Sequence, residues 1–184
     1  MRPAVFLDRD GVLTKEKGFL HKADDMEIYG YSCECIEKVH VAGYLAIVIT
    51  NQSGVARGYF TEDELTKMNT RLIEVTGVDA VYYCPHHTAG KIDKYRKECS
   101  CRKPGTGLID KACKDFDIDL THSFFIGDRE CDIKTGQNAG INTILVRTGY
   151  GTEEEKKGLN PDYITDNLKS AVDIIRNYAG GQSR

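Results

Sequence analysis

Five short runs rich in β-branched and aromatic residues, at 4–7, 45–49, 80–83, 124–126 and 143–146, alternate along the chain with segments of helical periodicity. No other feature restricts the fold so much. Strands separated by helices read as βαβ units, which set the strands side by side and parallel with helices on both faces of the sheet. The chain has 184 residues, enough for one large core and short of what two full domains need. A single three-layer α/β domain over residues 1–184 is expected. The clearest helix lies in residues 61–77, TEDELTKMNTRLIEVTG, with Thr61 at the N-cap, Glu64 at the capping-box position and Gly77 just past the end. Leu65, Met68, Leu72 and Val75 recur on it at helical spacing and predict a buried stripe. A short strand at Tyr163 and Ile164 should precede a last helix at 168–178 and a frayed tail at about 179–184.

Three of the strands run out into polar residues, at the edge where open α/β sheets hold ligands. The first gives VFLDRDGV, in which Asp8 and Asp10 stand two apart, so an extended backbone can turn both side chains the same way. A pair of aspartates in a loop can also be an ordinary turn. The second gives LAIVITNQSG, where Thr50 and the N–H groups after it can hold phosphate oxygens or merely satisfy their own backbone. The late strand gives SFFIGDRECD, which places Asp128 at a third strand end and Asp132 where a helix begins, a favourable position for an acid in any protein.

Residues 82–105, YYCPHHTAGKIDKYRKECSCRKPG, have no strand or helix rhythm and gather three cysteines and two histidines. Cys84, Cys99 and Cys101 with His86 or His87 make a closed tetrahedral set of the kind that holds structural Zn²⁺. Cys33, Cys35, Cys113 and Cys131 are read as core or incidental reduced thiols.

Taken in order, Asp-x-Asp-Gly after the first strand, Thr50 after the second, Lys103-Pro104 in the middle and Gly-Asp-x-x-x-Asp after the late strand resemble the four motifs of the haloacid dehalogenase (HAD) superfamily of phosphohydrolases. The resemblance runs from Val5 to about Gly151. It implies a Rossmann-like fold with a central, mainly parallel sheet, and no segment between the motifs is long enough for a large cap domain. It also implies that Asp8 is the nucleophile and that Asp10 is the acid and base. Thr50 and Lys103 then hold the transferring phosphoryl oxygens. Asp8, the backbone carbonyl of Asp10 and Asp128 would ligate Mg²⁺, with Asp132 behind them. Burial beside Asp8 and Asp128 should keep Asp10 protonated when substrate binds.

Within the superfamily, LDRDGV, ITNQSGVARGYFTE, CPHH and CSCRKP resemble the zinc-loop phosphatases that act on heptose 1,7-bisphosphate. That pattern selects His86 over His87 as the nitrogen ligand beside Cys84, Cys99 and Cys101, in a zinc loop at 84–101. It implies substrate contacts from Asp8, Arg9, Asp10, Thr50, Asn51, Gln52, Ser53, Arg102 and Lys103, and from Glu16, Lys17, Gly18 and Phe19, where the chain departs from the commoner Asp-His-Gly-Tyr type. Arg129 stands where lysine is common. Arg102 would meet the second phosphate. Histidinol-phosphate phosphatases, which carry a shorter interval between the Cys pairs, are the nearest alternative.

The net charge of −3 gives no basic footprint for nucleic acid, which sets aside a 3′-phosphatase acting on nucleic-acid ends. The full set Asp8, Asp10, Thr50, Lys103 and Asp128 has no use in a non-catalytic zinc-stabilised binding module. The longest apolar run, near 44–49, is too short to cross a bilayer, and no signal-peptide pattern opens the chain. A cytoplasmic, monomeric enzyme acting on a small sugar bisphosphate with Mg²⁺ and Zn²⁺ is expected.

Overall fold

The computed structural model describes residues 1–20 and 22–182. Six strands form one sheet: β1 (Arg2–Leu7), β2 (Leu45–Asn51), β3 (Ala80–Cys84), β4 (Ile118–Gly127), β5 (Asn142–Val146) and β6 (Tyr163–Thr165). Every pairing is parallel, in the order β3-β2-β1-β4-β5-β6. Parallel strands need covered faces, and β1 shows the consequence, since Ala4, Val5, Phe6 and Leu7 are all fully buried. Their side chains alternate between two cores. Val5 and Leu7 join Val48, Phe124 and Ile126 on one face, under α1 (Ser32–Val41), α3 (Glu62–Thr76) and α7 (Leu168–Gln182). Ala4 and Phe6 join Ile47, Ile49 and Phe125 on the other, under α4 (Gly107–Asp115). The remaining helices are α2 (Gly54–Arg57), α5 (Glu130–Asn138) and α6 (Gly151–Glu155).

The strand order sets where a ligand can bind. The chain steps outward from β1 to β2 and β3, then returns to lay β4 on the free side of β1. At that reversal the loops leaving β1 and β4 diverge and open a crevice at their carboxyl ends. Asp8 follows β1 directly and Asp128 follows β4 directly.

Several expectations need correction. The stripe on α3 buries Leu65, Met68 and Leu72 together with Asn69 and Thr76, but Val75 is 47% exposed, because at 100° per residue it falls at the edge of that stripe while Thr76 takes the inner position. Thr61 caps α3 by accepting the Glu64 N–H at 3.2 Å, and Gly77 closes it at φ 77°. Glu64 does not return the bond; its carboxylate pairs with Lys67 at 2.6 Å. Strand β4 starts six residues earlier than its apolar centre, at Ile118, with a register shift opposite Pro3–Val5. The last helix runs to Gln182 where a frayed tail was expected from about 179; Ser183 and Arg184 lie outside the described residues. Among the described residues no helix is long and apolar enough to cross a membrane.

Candidate active site

Lys103 is the hub of the crevice floor. It is 3% exposed, and its ammonium donates to Asp132 Oδ1 at 2.6 Å, to Asp8 Oδ1 at 2.9 Å and to the Ile49 carbonyl at 2.9 Å. Burial alone would favour the neutral amine, but the charges of Asp132 and Asp8 outweigh it and hold the ammonium well above its usual range. The backbone of Lys103 is clamped as well, since Asn51 accepts its N–H at 3.0 Å and donates to its carbonyl at 3.2 Å. Asp132 accepts the Arg129 N–H at 3.0 Å through Oδ2, closing the first turn of α5, so both of its oxygens are engaged.

Asp128 differs from Asp132 in this respect. It is fully buried; Oδ2 accepts the Tyr150 N–H at 2.8 Å, while Oδ1 is buried with no hydrogen-bond partner among the described residues. Ligand oxygens of Asp8, Asp128 and Asp132 lie within 4.8 Å of one another. Burial, reinforced by neighbouring carboxylates, pushes Asp128 up to about 8. For Asp8 burial again leads and Lys103 opposes it, leaving the group at about 7. One lysine among three converging carboxylates and an orphaned buried oxygen fit a hard divalent cation, which oxygen donors bind. Gly11 makes room for this cluster. Its φ of 85° suits glycine, and a Cβ there would stand 2.1 Å from Asp128 Oδ2.

Asp10 is expected to carry a proton when substrate binds, and the resting site starts from the other state. Burial pushes the Asp10 pKa up, but the Arg9 guanidinium and hydrogen bonds from Arg9, Gln52 and Thr14 outweigh that and hold it ionised. Arg9 donates from Nη2 at 2.9 Å and from Nε at 3.2 Å, Gln52 Nε2 donates at 2.9 Å and Thr14 Oγ1 at 3.1 Å. Gln52 also donates to Thr50 Oγ1 at 2.9 Å, which links the first two motifs.

A cleft of about 360 Å³ opens over this floor. Of the expected contacts, Asp8, Asp10, Glu16, Gly18, Phe19, Thr50, Asn51, Gln52, Ser53, Arg102 and Lys103 line it. Arg9 and Lys17 do not. Arg9 is 2% exposed and turns inward to Asp10 and Asn69, because its charge is needed beside a buried carboxylate. Lys17 turns out to Glu27 at 3.1 Å. Leu20, Gly54, Phe60, Arg129, Cys131 and Tyr150 complete the wall. Cys131, read from the sequence as a core or incidental thiol, thus lines the cleft. Arg129 stacks 3.8 Å from the centroid of the Tyr150 ring and lies 3.6 Å from Glu16, joining the loops after β1, β4 and β5. Tyr150 had one sequence signal, its place just beyond the end of a predicted strand.

The sulfur cluster lies beside the cleft. Sγ of Cys84, Cys99 and Cys101 and Nδ1 of His86 fall within 4.8 Å of one another. The S···S distances of 3.1–3.5 Å exclude disulfides. Burial, aided by Lys97, lowers the His86 pKa and favours the neutral imidazole that a metal needs. His87 is outside the group, with Nδ1 facing the Ala89 N–H. Three thiols and an imidazole suit Zn²⁺. Arg102 donates to the His86 carbonyl at 3.2 Å, so the cluster touches the cleft through Arg102 and, one residue on, Lys103.

Comparison with known proteins places these features among their relatives. A family model described as HAD-hydrolase-like matches residues 100–171. The chain is 41% identical over 183 residues to the D-glycero-beta-D-manno-heptose-1,7-bisphosphate 7-phosphatase of Pasteurella multocida, covering 96% of this chain and 98% of that protein. It is 42% identical over 159 residues to the alpha-heptose counterpart of Photorhabdus laumondii, covering 82% and 85%. The crystal structure of D,D-heptose 1,7-bisphosphate phosphatase from B. bronchiseptica, complexed with magnesium and phosphate, matches with a TM-score of 0.82 at 29% identity, over 95% of this chain and 98% of that one.

Proposed function

The chain belongs to the heptose-1,7-bisphosphate 7-phosphatase family of HAD-like hydrolases, and from that premise we propose that it removes the C7 phosphate of D-glycero-D-manno-heptose 1,7-bisphosphate in the making of nucleotide-activated heptose. One observation carries the chemistry: Asp8 lines the cleft with Oδ1 tied down by Lys103 and the Arg9 N–H, and among the described residues no hydrogen bond engages Oδ2.

Asp8 Oδ2 attacks phosphorus in line with the leaving oxygen, forming an aspartyl phosphate as the bond to C7–O breaks. Asp10 gives that oxygen its proton. In the resting site Asp10 is ionised, so it takes this proton from solvent as the phosphate adds negative charge beside it, and returns one to solvent at the end of the cycle. Water then attacks phosphorus and Asp10, again a carboxylate, takes the proton; phosphate leaves and Asp8 is restored. Lys103 and Thr50 hold the phosphoryl oxygens, and Arg102 meets the second phosphate. Asp8, the Asp10 carbonyl and Asp128 would hold Mg²⁺, which supplies neutralising charge between two anions. Asp132, with both oxygens spent on Lys103 and Arg129, positions the lysine. Cys84, His86, Cys99 and Cys101 would hold Zn²⁺ in a closed, structural site.

Relatives named for the alpha and beta substrates match almost equally well, so overall identity does not separate the anomers. The test is kcat/KM on the α and β heptose 1,7-bisphosphates, fructose 1,6-bisphosphate and histidinol phosphate with Mg²⁺. One heptose anomer should lead. A clear preference for histidinol phosphate would overturn the assignment. Asp8→Asn should abolish turnover with the circular dichroism spectrum unchanged.

A further inference from the structure

The run GVARGYF at 54–60 sits directly after the phosphate-holding loop, yet none of the roles above uses Arg57, Tyr59 or Phe60. Its geometry gives them one. A Cβ at Gly54 would stand 2.1 Å from the Phe60 ring, so glycine there lets Phe60 fold back across α2 into the cleft wall. Phe19 lines the same cleft and is 45% exposed. Its ring packs on Tyr59, with centroids 4.6 Å apart, and the Arg57 guanidinium carbon lies 5.8 Å from its centroid. On its other side Arg57 Nη2 lies 3.2 Å from His87 Nε2, the residue after the proposed zinc ligand His86. Arg57 has no carboxylate partner among the described residues, and its buried Nε has no hydrogen bond. The loop rests on the same helix, since the Lys91 and Ile92 N–H groups both donate to the Ala56 carbonyl, at 2.7 and 2.9 Å.

We propose that Arg57 is a positioning residue that ties the zinc loop to an aromatic wall, Phe19 and Phe60, and that this wall distinguishes a heptose bisphosphate from smaller phosphomonoesters. Phosphate ligands alone hold every phosphate ester alike. The seven-carbon sugar extends past them, and its C–H faces suit aromatic rings. Phe19 sits on an exposed loop with Tyr59 behind it, and a guanidinium against its ring, fixed from the loop side by His87, limits where that ring can go. The inference rests on the proposed function and deepens it.

The test uses the full chain with both metals, comparing wild type, Arg57→Ala, Arg57→Lys, His87→Ala, Phe19→Ala and the Arg57→Ala/Phe19→Ala double variant. Arg57→Ala should raise KM for heptose 1,7-bisphosphate about tenfold while kcat stays within about twofold, the mark of lost ground-state binding. Zinc content should be unchanged. Arg57→Lys should recover part of the loss, and the double variant should be no worse than Phe19→Ala. A fall in kcat at constant KM, an unchanged KM, or additive losses in the double variant would overturn the proposal. If Arg57→Ala does not fold, His87→Ala and Arg57→Lys pull on the same tie from either end and carry the test. A wild type without preference for heptose bisphosphate overturns the functional assignment and this inference with it; a wild type with that preference and an indifferent Arg57 overturns this inference alone.

Discussion

Asp8 and Asp128 carry the electrostatic cost of the site, and that cost predicts how metal, protons and stability are linked. Their folded-state pKa values, about 7 and about 8, stand above the ordinary carboxylate value of 3.8. The folded metal-free protein therefore holds protons that the unfolded chain releases between about pH 4 and pH 8. Its stability should fall as pH rises through that window and level off above it. Mg²⁺ competes with those protons, so it gains as they leave. The rise in Tm on adding Mg²⁺ should be a few degrees larger at pH 8 than at pH 6, a shift of the size that about 1 kcal/mol gives a chain of this length. Asp128→Asn should remove most of this pH dependence. An equal Mg²⁺ effect at both pH values would show that these two carboxylates do not hold the cation.

At the scale of elements, the segment between β3 and α4 matters most, because it carries Cys99 and Cys101 and then Lys103 with no helix or strand between them. Cys101 lies two residues before Lys103, and Arg102 between them bonds to the His86 carbonyl. Cys101→Ser should cut kcat about tenfold or more by shifting Lys103, which acts on charge that develops in the transition state, while the Mg²⁺ requirement stays near wild type. Loss of Mg²⁺ affinity in proportion to kcat would place the damage in the carboxylate cluster and not in the loop. Elements of this kind were the legible part of the sequence. Asp8, Thr50 and Asp128 announce themselves because a buried strand ends where polar residues begin, and the thiols because no core needs that spacing. Contacts that depend on the direction of one side chain were hidden. Arg9 looked like a cleft residue until its guanidinium turned to Asp10, and Cys131 looked incidental until the first turn of α5 faced it to the cleft. Val75 kept helical spacing but fell at the edge of the buried stripe, where Thr76 takes the inner place.

Over the whole molecule, the proposed zinc site and the sheet can be separated. Zinc fingers unfold without metal because they have almost no core of their own. Here apolar clusters fill both faces of a continuous six-stranded parallel sheet, and most of their strand residues come from the interior strands β2, β1, β4 and β5, with Tyr82 and Cys84 added from β3. The cysteine cluster hangs from β3, at the sheet's edge; Cys84 alone of the four ligands is a strand residue, and Cys99 and Cys101 only pack against one core from outside. Stripping zinc from the folded protein should therefore leave the far-ultraviolet circular dichroism and one cooperative thermal transition in place, with activity lost through Lys103 and Arg102. Mg²⁺ alone should not restore that activity, whereas Zn²⁺ followed by Mg²⁺ should. The reverse treatment, withdrawing only Mg²⁺, should be reversed by Mg²⁺ within mixing time, because its proposed ligands are held by β1 and β4. Global unfolding on zinc removal would contradict this division and would mean that the edge loop, despite the two cores, is part of what holds the sheet together.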